Sequence, residues 1–553
     1  MVVHKYLYVR SPQRCRMSDA PLPQTFAYLY TSYAYKPAET EPPTDEASGN
    51  AGRACSLNSF RMGEATPMTI QIGTLGLDTL GSLPAEQRPL VDPRDLRSTV
   101  LHVGLGAFHR AHQAVYTEAA AAAAGIAWGI AGVAPGSAAT VEGLRAQDNL
   151  YTVTDLAPAG SSTRVVAAHS EALQMGPDAG RVRQLLESPE LTTVTLTITE
   201  KGYHRRGDTG GLDLNSGAVA DDLAATATDE HPKTVIGVIA AGLVARHRAG
   251  GAPITVVSCD NMTGNGAATG RVVREFLSAS SWADREGVLA WLDGSVGFPS
   301  TVVDRIVPVT TEDDRATAAA ALGVVDRVPV IGEPYRQWVL ENSFTAPRPA
   351  WELAGAGFVD DVAPYQLMKL RLLNGSHSAM AYLGLAAGCR TVAEVLGTTW
   401  GERLVRRLAA EVAPSLPGDL DIPAYTDALI ARFSNPSMRD QLRRIGSDGS
   451  LKIGERWLGV IRQLGQPATP VLTTALAGWI NATRTSGDGG QLFGTTDPAA
   501  EALDRCWRES STPADVVAGC LRTVGAPDLA DDAELVRAVA AQVPAIHAGS
   551  IDI

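Results

Sequence analysis

From about residue 97 onward, short runs of β-branched and aliphatic residues alternate with Ala-rich stretches whose polar residues recur at helical spacing. That alternation predicts a parallel sheet flanked by helices, an α/β class. Residues 98–106 (STVLHVGLG) read as a first buried strand, residues 111–124 (AHQAVYTEAAAAAA) as a helix and residues 128–135 (WGIAGVAP) as a second strand. Residues 192–203 and 254–261 each read as a strand running into a polar loop. Three polar clusters, VGLGAFHRAH, TEKGY and SCDNMTGNG, therefore fall where strands end. In an open α/β sheet the ligand crevice forms at the carboxyl ends of the strands, so the clusters point to one site. Beyond residue 358 the pattern turns helical, with Gly/Pro punctuation such as SLPGDLDIP and no convincing run of strands. The chain thus divides into an α/β domain over 68–358 and a mostly α-helical domain over 359–553, without internal repeats.

The first 67 residues lack this periodicity. An aromatic-polar stretch (TFAYLYTSYAYKP) gives way to AETEPPTDEASGNAG, and neither resembles a secretory signal. The expectation is a disordered extension, or a start assigned too early with Met68 as the working start. At 553 residues and 58.0 kDa there is room for two or three domains with separate cores. A net charge of −13 argues against a general nucleic-acid binder but leaves room for a locally basic pocket. The six cysteines are scattered and form no CxxC pair, which fits reduced cytoplasmic thiols better than a disulfide frame or a zinc site. No apolar run approaches the roughly 18–20 residues of a membrane span, so a soluble cytoplasmic protein with no membrane or nucleic-acid partner is expected.

The densest chemistry lies in residues 364–384, PYQLMKLRLLNGSHSAMAYLG. In a regular helix Asn374 sits about 140° and His377 about 80° around from Lys369, so the three share one face. The flanking Leu370, Leu372, Leu373, Met380 and Leu383 mark this helix as mostly buried, and polar groups on a buried helix need partners or a task. An ammonium, an amide and an imidazole together can take a proton from an alcohol while holding its oxygen. Upstream, Gly104-Leu105-Gly106-Ala107-Phe108-His109 occupies the first strand-to-helix turn, where two glycines permit close approach to a pyrophosphate. The third glycine of a Rossmann-type turn is absent, and His109 stands in its place. No acid closes the second strand. Ser137 and Thr140 stand there with Glu142 slightly later, so NAD is expected with NADP left open. His109 and His112 otherwise read as packing or capping residues with at most a cofactor-side role, and Tyr203 and His204 as residues that either close a loop or touch the nicotinamide. A zinc alcohol dehydrogenase lacks its Cys/His cluster here, and a short-chain dehydrogenase its Tyr-x-x-x-Lys.

GLGAFHRAHQAVY, TEKGY, SCDNMTGNG, FPSTVVDRIVP, EPYRQWVLE and KLRLLNGSHS, in that order, resemble the polyol-specific long-chain dehydrogenases. That family includes mannitol 2-dehydrogenase, fructuronate reductase and D-arabinitol dehydrogenase, and the resemblance spans about residues 70 to 550. It implies a Rossmann-type domain followed by a helical domain similar to that of 6-phosphogluconate dehydrogenases, with the active site between them. It further implies that Lys369 is the general base and that Asn374 and Asn261 donate to the reacting oxygen, Asn265 being the alternative to Asn261. On the same resemblance His377 binds substrate hydroxyls, Asp304 is an acid near the substrate, and Arg444 and Lys452 are substrate-contacting cations. Gly104, Gly106, Ala107, Phe108 and His109 hold the cofactor. Read from the residues alone, Asp304 could instead pair with Arg305, and Arg444 could be a surface charge. Gln366 stands where the family usually has Glu, and a Gln cannot pass on a proton by ionising. The implied reaction is mannitol to fructose, with mannonate to fructuronate as the alternative; a non-catalytic dinucleotide sensor is the reading from another class. The resemblance allows a monomer, on which periodicity is silent. Deleting residues 1–67 is expected to leave folding and turnover intact, checked by yield and thermal melting of the shortened chain; loss of folded protein would show that the segment packs.

Overall fold

Runs of β-branched and small residues build the central layer. The computed structural model describes residues 73–228, 230–486 and 490–553, so the expected extension over 1–67 and Met68 lie outside the described residues. Strands Arg97–Val103 (β1), Trp128–Ala134 (β2), His169–Gln174 (β3), Thr193–Leu196 (β4), Ile254–Ser258 (β5) and Val296–Gly297 (β6) form one all-parallel sheet. Its order is β3-β2-β1-β4-β5-β6. Leu101, Val103, Val133, Leu196 and Val256 are fully buried or nearly so, as a parallel sheet covered on both faces requires. The order reverses between β1 and β4, and a crevice opens beyond their carboxyl ends. The alternating pattern anticipates β1, β2, β4 and β5; β3, the two-residue β6 and the hairpin Tyr151–Ala157/Gly160–Val166 went unread.

The helix after β1 departs from expectation. It begins earlier, as Ala107–Ala111, breaks at His112 (φ −121°, ψ −89°), and resumes as Gln113–Ala124. The break coincides with an inward-turned imidazole: His112 Nε2 lies 2.8 Å from the Gln337 carbonyl oxygen. A second sheet joins Thr301–Asp304, Gln337–Glu341 and Gly357–Val359, and Asp304 is the last residue of its strand. After Val359 the named elements of the described chain are all helical. They enclose a separate core around Leu372, Met380, Leu383, Trp457, Leu476 and Trp479. Among the described residues no helix is long and apolar enough to cross a membrane, and Cys259, Cys389, Cys506 and Cys520 are free thiols.

The turn after β1 depends on Gly104. Its φ of +113° is open to glycine, and a Cβ there would stand 2.1 Å from the Thr197 carbonyl oxygen. Its own carbonyl accepts from Thr197 Oγ1 at 2.9 Å and lies 3.0 Å from His102 Nε2. Burial holds His102 down to about 3, so the ring is neutral. Gly104→Ala is expected to destabilise the fold by about 1–3 kcal/mol in urea unfolding. Gly106→Ala, whose added methyl would meet nothing nearer than 3.8 Å, is expected to unfold much as the parent does; equal effects of the two would show that the close approach does not matter.

Candidate active site

Lys369 opens a turn of π-helix. The helix Ala363–Met368 passes into Lys369–Asn374 in the wider i→i+5 pattern before continuing as Gly375–Ala386. Five residues then make roughly one turn, so Lys369 and Asn374 lie closer to alignment than the about 140° of a regular helix. Lys369 Nζ donates to Asn261 Oδ1 and to the Val303 carbonyl, both at 2.8 Å. Burial pulls its pKa below the usual lysine range; Asp304 opposes the shift, while Arg432 and Arg456 reinforce it.

The choice left open between Asn261 and Asn265 separates here. Asn265 is buried, with Nδ2 donating to the Asp260 and Thr301 carbonyls (2.9 and 3.1 Å) and Oδ1 accepting from Thr301 N–H at 2.9 Å. It fastens the loop after β5 to the neighbouring strand, and Asn261 is the one that meets the ammonium.

Asp304 does not pair with Arg305, whose guanidinium goes to Asp155 and to the Glu333 carbonyl. It pairs with Arg432, on the helix Ile422–Phe433, through Nη1–Oδ2 at 2.7 Å and Nη2–Oδ1 at 3.0 Å. The same guanidinium takes Glu333 through Nε–Oε2 at 2.9 Å and Nη2–Oε1 at 2.8 Å, and lies 4.0 Å from the centre of the Tyr335 ring. Burial alone would raise the Asp304 carboxyl, but the charge and hydrogen bonds of Arg432 hold it below the usual range. At Glu333 burial prevails and the pKa is raised. Glu333 and Tyr335 sit in the EPYRQWVLE motif, whereas Arg432 gave no signal in an ordinary amphipathic helix.

His377 packs its ring 4.5 Å from Phe433, and its Nε2 is buried without a hydrogen-bond partner among the described residues. Burial, with Arg432 and Arg456, brings its pKa to about 3, so it is neutral. Gln366 uses both ends of its amide: Oε1 accepts from Gly264 N–H at 3.1 Å, and Nε2 donates to the Thr301 carbonyl at 3.2 Å. A glutamate could not make the second bond, a local reason for Gln at this position.

A cleft of about 630 Å³ lies over the ends of β1, β2, β4 and β5. Its wall contains Gly104, Gly106, Ala107, Phe108 and His109, then Ser137 and Thr140, Asp260 and Asn261, and finally Asp304 and Lys369. The His109 ring itself is buried, stacked 3.3 Å from that of His102, with Nε2 3.0 Å from His169 Nε2, so its side chain props the turn from beneath. Ser137 caps the helix Ala138–Arg145, leaving hydroxyls where an acid would otherwise meet a ribose. A glycine cradle at one end and a half-buried lysine at the other fit an extended dinucleotide. Asn374 and His377 are not in this wall, although His377 is within electrostatic reach of Asp304. Arg444 and Lys452 are not brought to it either. Arg444 is largely exposed and held by Asp440 at 3.1 Å, while Lys452 Nζ donates to the Ser447 carbonyl at 2.5 Å. Among the described residues no group of three or more His, Cys, Asp or Glu could hold a metal ion.

Arg432→Met leaves two buried carboxylates without a counter-charge and is expected to cost about 3–5 kcal/mol in urea unfolding at neutral pH. Burial would then raise both carboxyls, so the deficit should shrink as the pH falls and they take up protons; a deficit independent of pH would mean that packing, not charge, was lost.

Comparison with known proteins gives the same outline. The mannitol dehydrogenase Rossmann domain matches residues 98–353, and the mannitol dehydrogenase C-terminal domain residues 361–547. The D-mannonate oxidoreductase of Escherichia coli (strain K12) is 37% identical over 465 residues, 82% of this chain and 94% of that protein. The mannitol 2-dehydrogenase of Pyrenophora tritici-repentis (strain Pt-1C-BFP) is 36% identical over 440 residues, 78% of this chain and 77% of that protein. The ternary complex of Pseudomonas fluorescens mannitol 2-dehydrogenase with NAD and D-mannitol superposes with a TM-score of 0.70 at 33% identity, covering 86% of this chain and 96% of that one. With both halves matched in order around a lysine-bearing cleft, the chain belongs to the mannitol dehydrogenase family.

Proposed function

We propose that this protein is an NAD-dependent oxidoreductase that interconverts a polyol and its ketose, with mannitol and fructose as the first pair. The observation that carries the proposal is the Lys369 ammonium, half-buried at the end of the dinucleotide cleft and bonded to Asn261. When bound, the dinucleotide supplies or accepts a hydride at the carbon that changes between alcohol and ketone. Lys369 handles the accompanying proton: as the amine it takes the hydroxyl proton, as the ammonium it returns it to the oxygen. Its lowered pKa makes the amine available nearer neutral pH. Asn261 holds Nζ through its carbonyl oxygen, which leaves its amide N–H, with that of Asn374, to stabilise the charged oxygen. The neutral His377 offers its partnerless Nε2 to a substrate hydroxyl. Arg432 keeps Asp304 ionised beside the lysine. Since Gln366 cannot ionise, the proton leaves Lys369 by another path. The strand Gly357–Val359 still pairs with the first half, Val359 opposite Glu341, which favours a domain division just after Val359, one residue beyond the expected 358/359.

A second reading, a hexuronate such as fructuronate, draws on Arg456. It donates to Ser378 Oγ at 2.6 Å and to the Asn374 carbonyl at 3.3 Å, with no carboxylate at ion-pair distance among the described residues. A substrate carboxylate would complete it. NADH consumption with fructose and fructuronate, measured in parallel, separates the readings: turnover with fructose alone supports the first and preference for fructuronate the second. No turnover with either, despite dinucleotide binding, would favour a sensor. Lys369→Ala is expected to lower turnover by about 10²–10⁴-fold while NADH still binds. In the parent, ketose reduction should fall and polyol oxidation rise as the pH climbs through the lysine pKa; retained turnover in the variant would remove Lys369 from the mechanism.

A further inference from the structure

Thr199, at the end of the strand Thr193–Leu196 and its short extension, has φ +63° and ψ 161°. This backbone region is essentially confined to glycine, because an L side chain crowds its own peptide neighbours there. Six described non-glycine residues have positive φ, and Thr199 is the only β-branched one among them. Such a conformation persists only where the surroundings over-determine it. Here Asp260 does so. Its Oδ1 accepts the Thr199 N–H at 2.8 Å, and its Oδ2 accepts the Ile198 N–H at 2.9 Å and the Tyr203 hydroxyl at 2.7 Å. Tyr203 is in turn 2.6 Å from Ser258 Oγ, and the Thr199 carbonyl accepts from Gly202 N–H at 3.0 Å. None of these groups has a part in the proton chemistry assigned to Lys369.

Position gives the strain a purpose. β4 lies between β1, whose end carries the Gly104 turn, and β5, whose end carries Asn261. Thr197 already bonds the Gly104 carbonyl, and Thr199, two residues further out, stands in the cleft wall. A dinucleotide with its pyrophosphate at the glycine turn and its reactive carbon near Lys369 must cross β4 with the ribose and ring of its nicotinamide half. We propose that Thr199 is a binding residue for that half of the dinucleotide, its hydroxyl presented to the cleft by a strained backbone that the Asp260 clamp holds in place. The inference rests on reading the cleft as a dinucleotide site.

The test compares the full-length protein with Thr199→Ser, Thr199→Ala and Thr199→Gly. NADH affinity is read from quenching of tryptophan fluorescence, ketose KM at saturating NADH from initial rates, and Tm from thermal melting. Thr199→Ser should bind NADH as the parent does. Thr199→Ala and Thr199→Gly should bind it roughly 10-fold or more weakly, as expected for a lost positioning contact, with the ketose KM little changed. Thr199→Gly, relieved of strain, should also melt higher than Thr199→Ala. Parent-like NADH affinity in Thr199→Ala would overturn the proposal, whatever the Tm values, as would an equal loss in Thr199→Ser. Should Thr199→Gly fail to fold, the Ala and Ser pair decides alone. A parent protein that binds no NADH would instead bring down the reading of the cleft itself.

Discussion

Everything near the reacting groups depends on one guanidinium placed between two carboxylates. Arg432 comes from a helix of the second half, Asp304 and Glu333 from the sheet region of the first, and all three are buried. Removing such charges from water is costly, and only near-complete hydrogen bonding offsets it. Arg432 meets that condition, with two bonds to each carboxylate and a tyrosine face beside it. Two carboxylates against one guanidinium leave an excess negative charge, and the Lys369 ammonium close to Asp304 balances it. The join between the halves and the setting of the lysine are therefore one electrostatic object.

That coupling explains the opposite behaviour of two neighbouring acids. Asp304 stays ionised because the charge and hydrogen bonds of Arg432, with Lys369 nearby, outweigh its burial; at Glu333, which shares Arg432, burial prevails with Asp304 adding to it, and its pKa rises. Lys369 feels burial first, so its amine form becomes accessible, while Asp304 keeps the shift from running further. An acid held by a neighbouring arginine can in this way help to set the pH at which a base works.

Strands at the sheet centre were legible in the sequence because burial on both faces writes them as uncharged runs of β-branched and aliphatic residues, as in TVTL and ITVVS. The GLG turn was legible because close approach to Thr197 leaves room only for glycine. The edge strand His169–Gln174 and the hairpin before it carry mixed polar text and went unread. The helix break at His112 depends on a carbonyl 225 residues away, which no local pattern records. Lys369, Asn261 and Asp304 could be found because each sits in a dense motif. Arg432 could not, since an arginine on an amphipathic helix is ordinarily a solvated one and only the fold shows what it faces. Arg444 and Lys452 carried a resemblance; Arg444 is paired with Asp440 and within electrostatic reach of His377, and Lys452 is held by the Ser447 carbonyl.

The π turn at Lys369–Asn374 has a consequence for how this site is encoded. In a helix, residue identity decides what a position offers, but residue number decides where it points. In ordinary winding the same five steps from Lys369 to Asn374 would leave the two about 140° apart, with every functional side chain still present. The alignment of this site is thus stored in how the backbone winds as well as in which residues it carries. Substitutions can empty or refill it, and a return to ordinary winding at the same length would turn it.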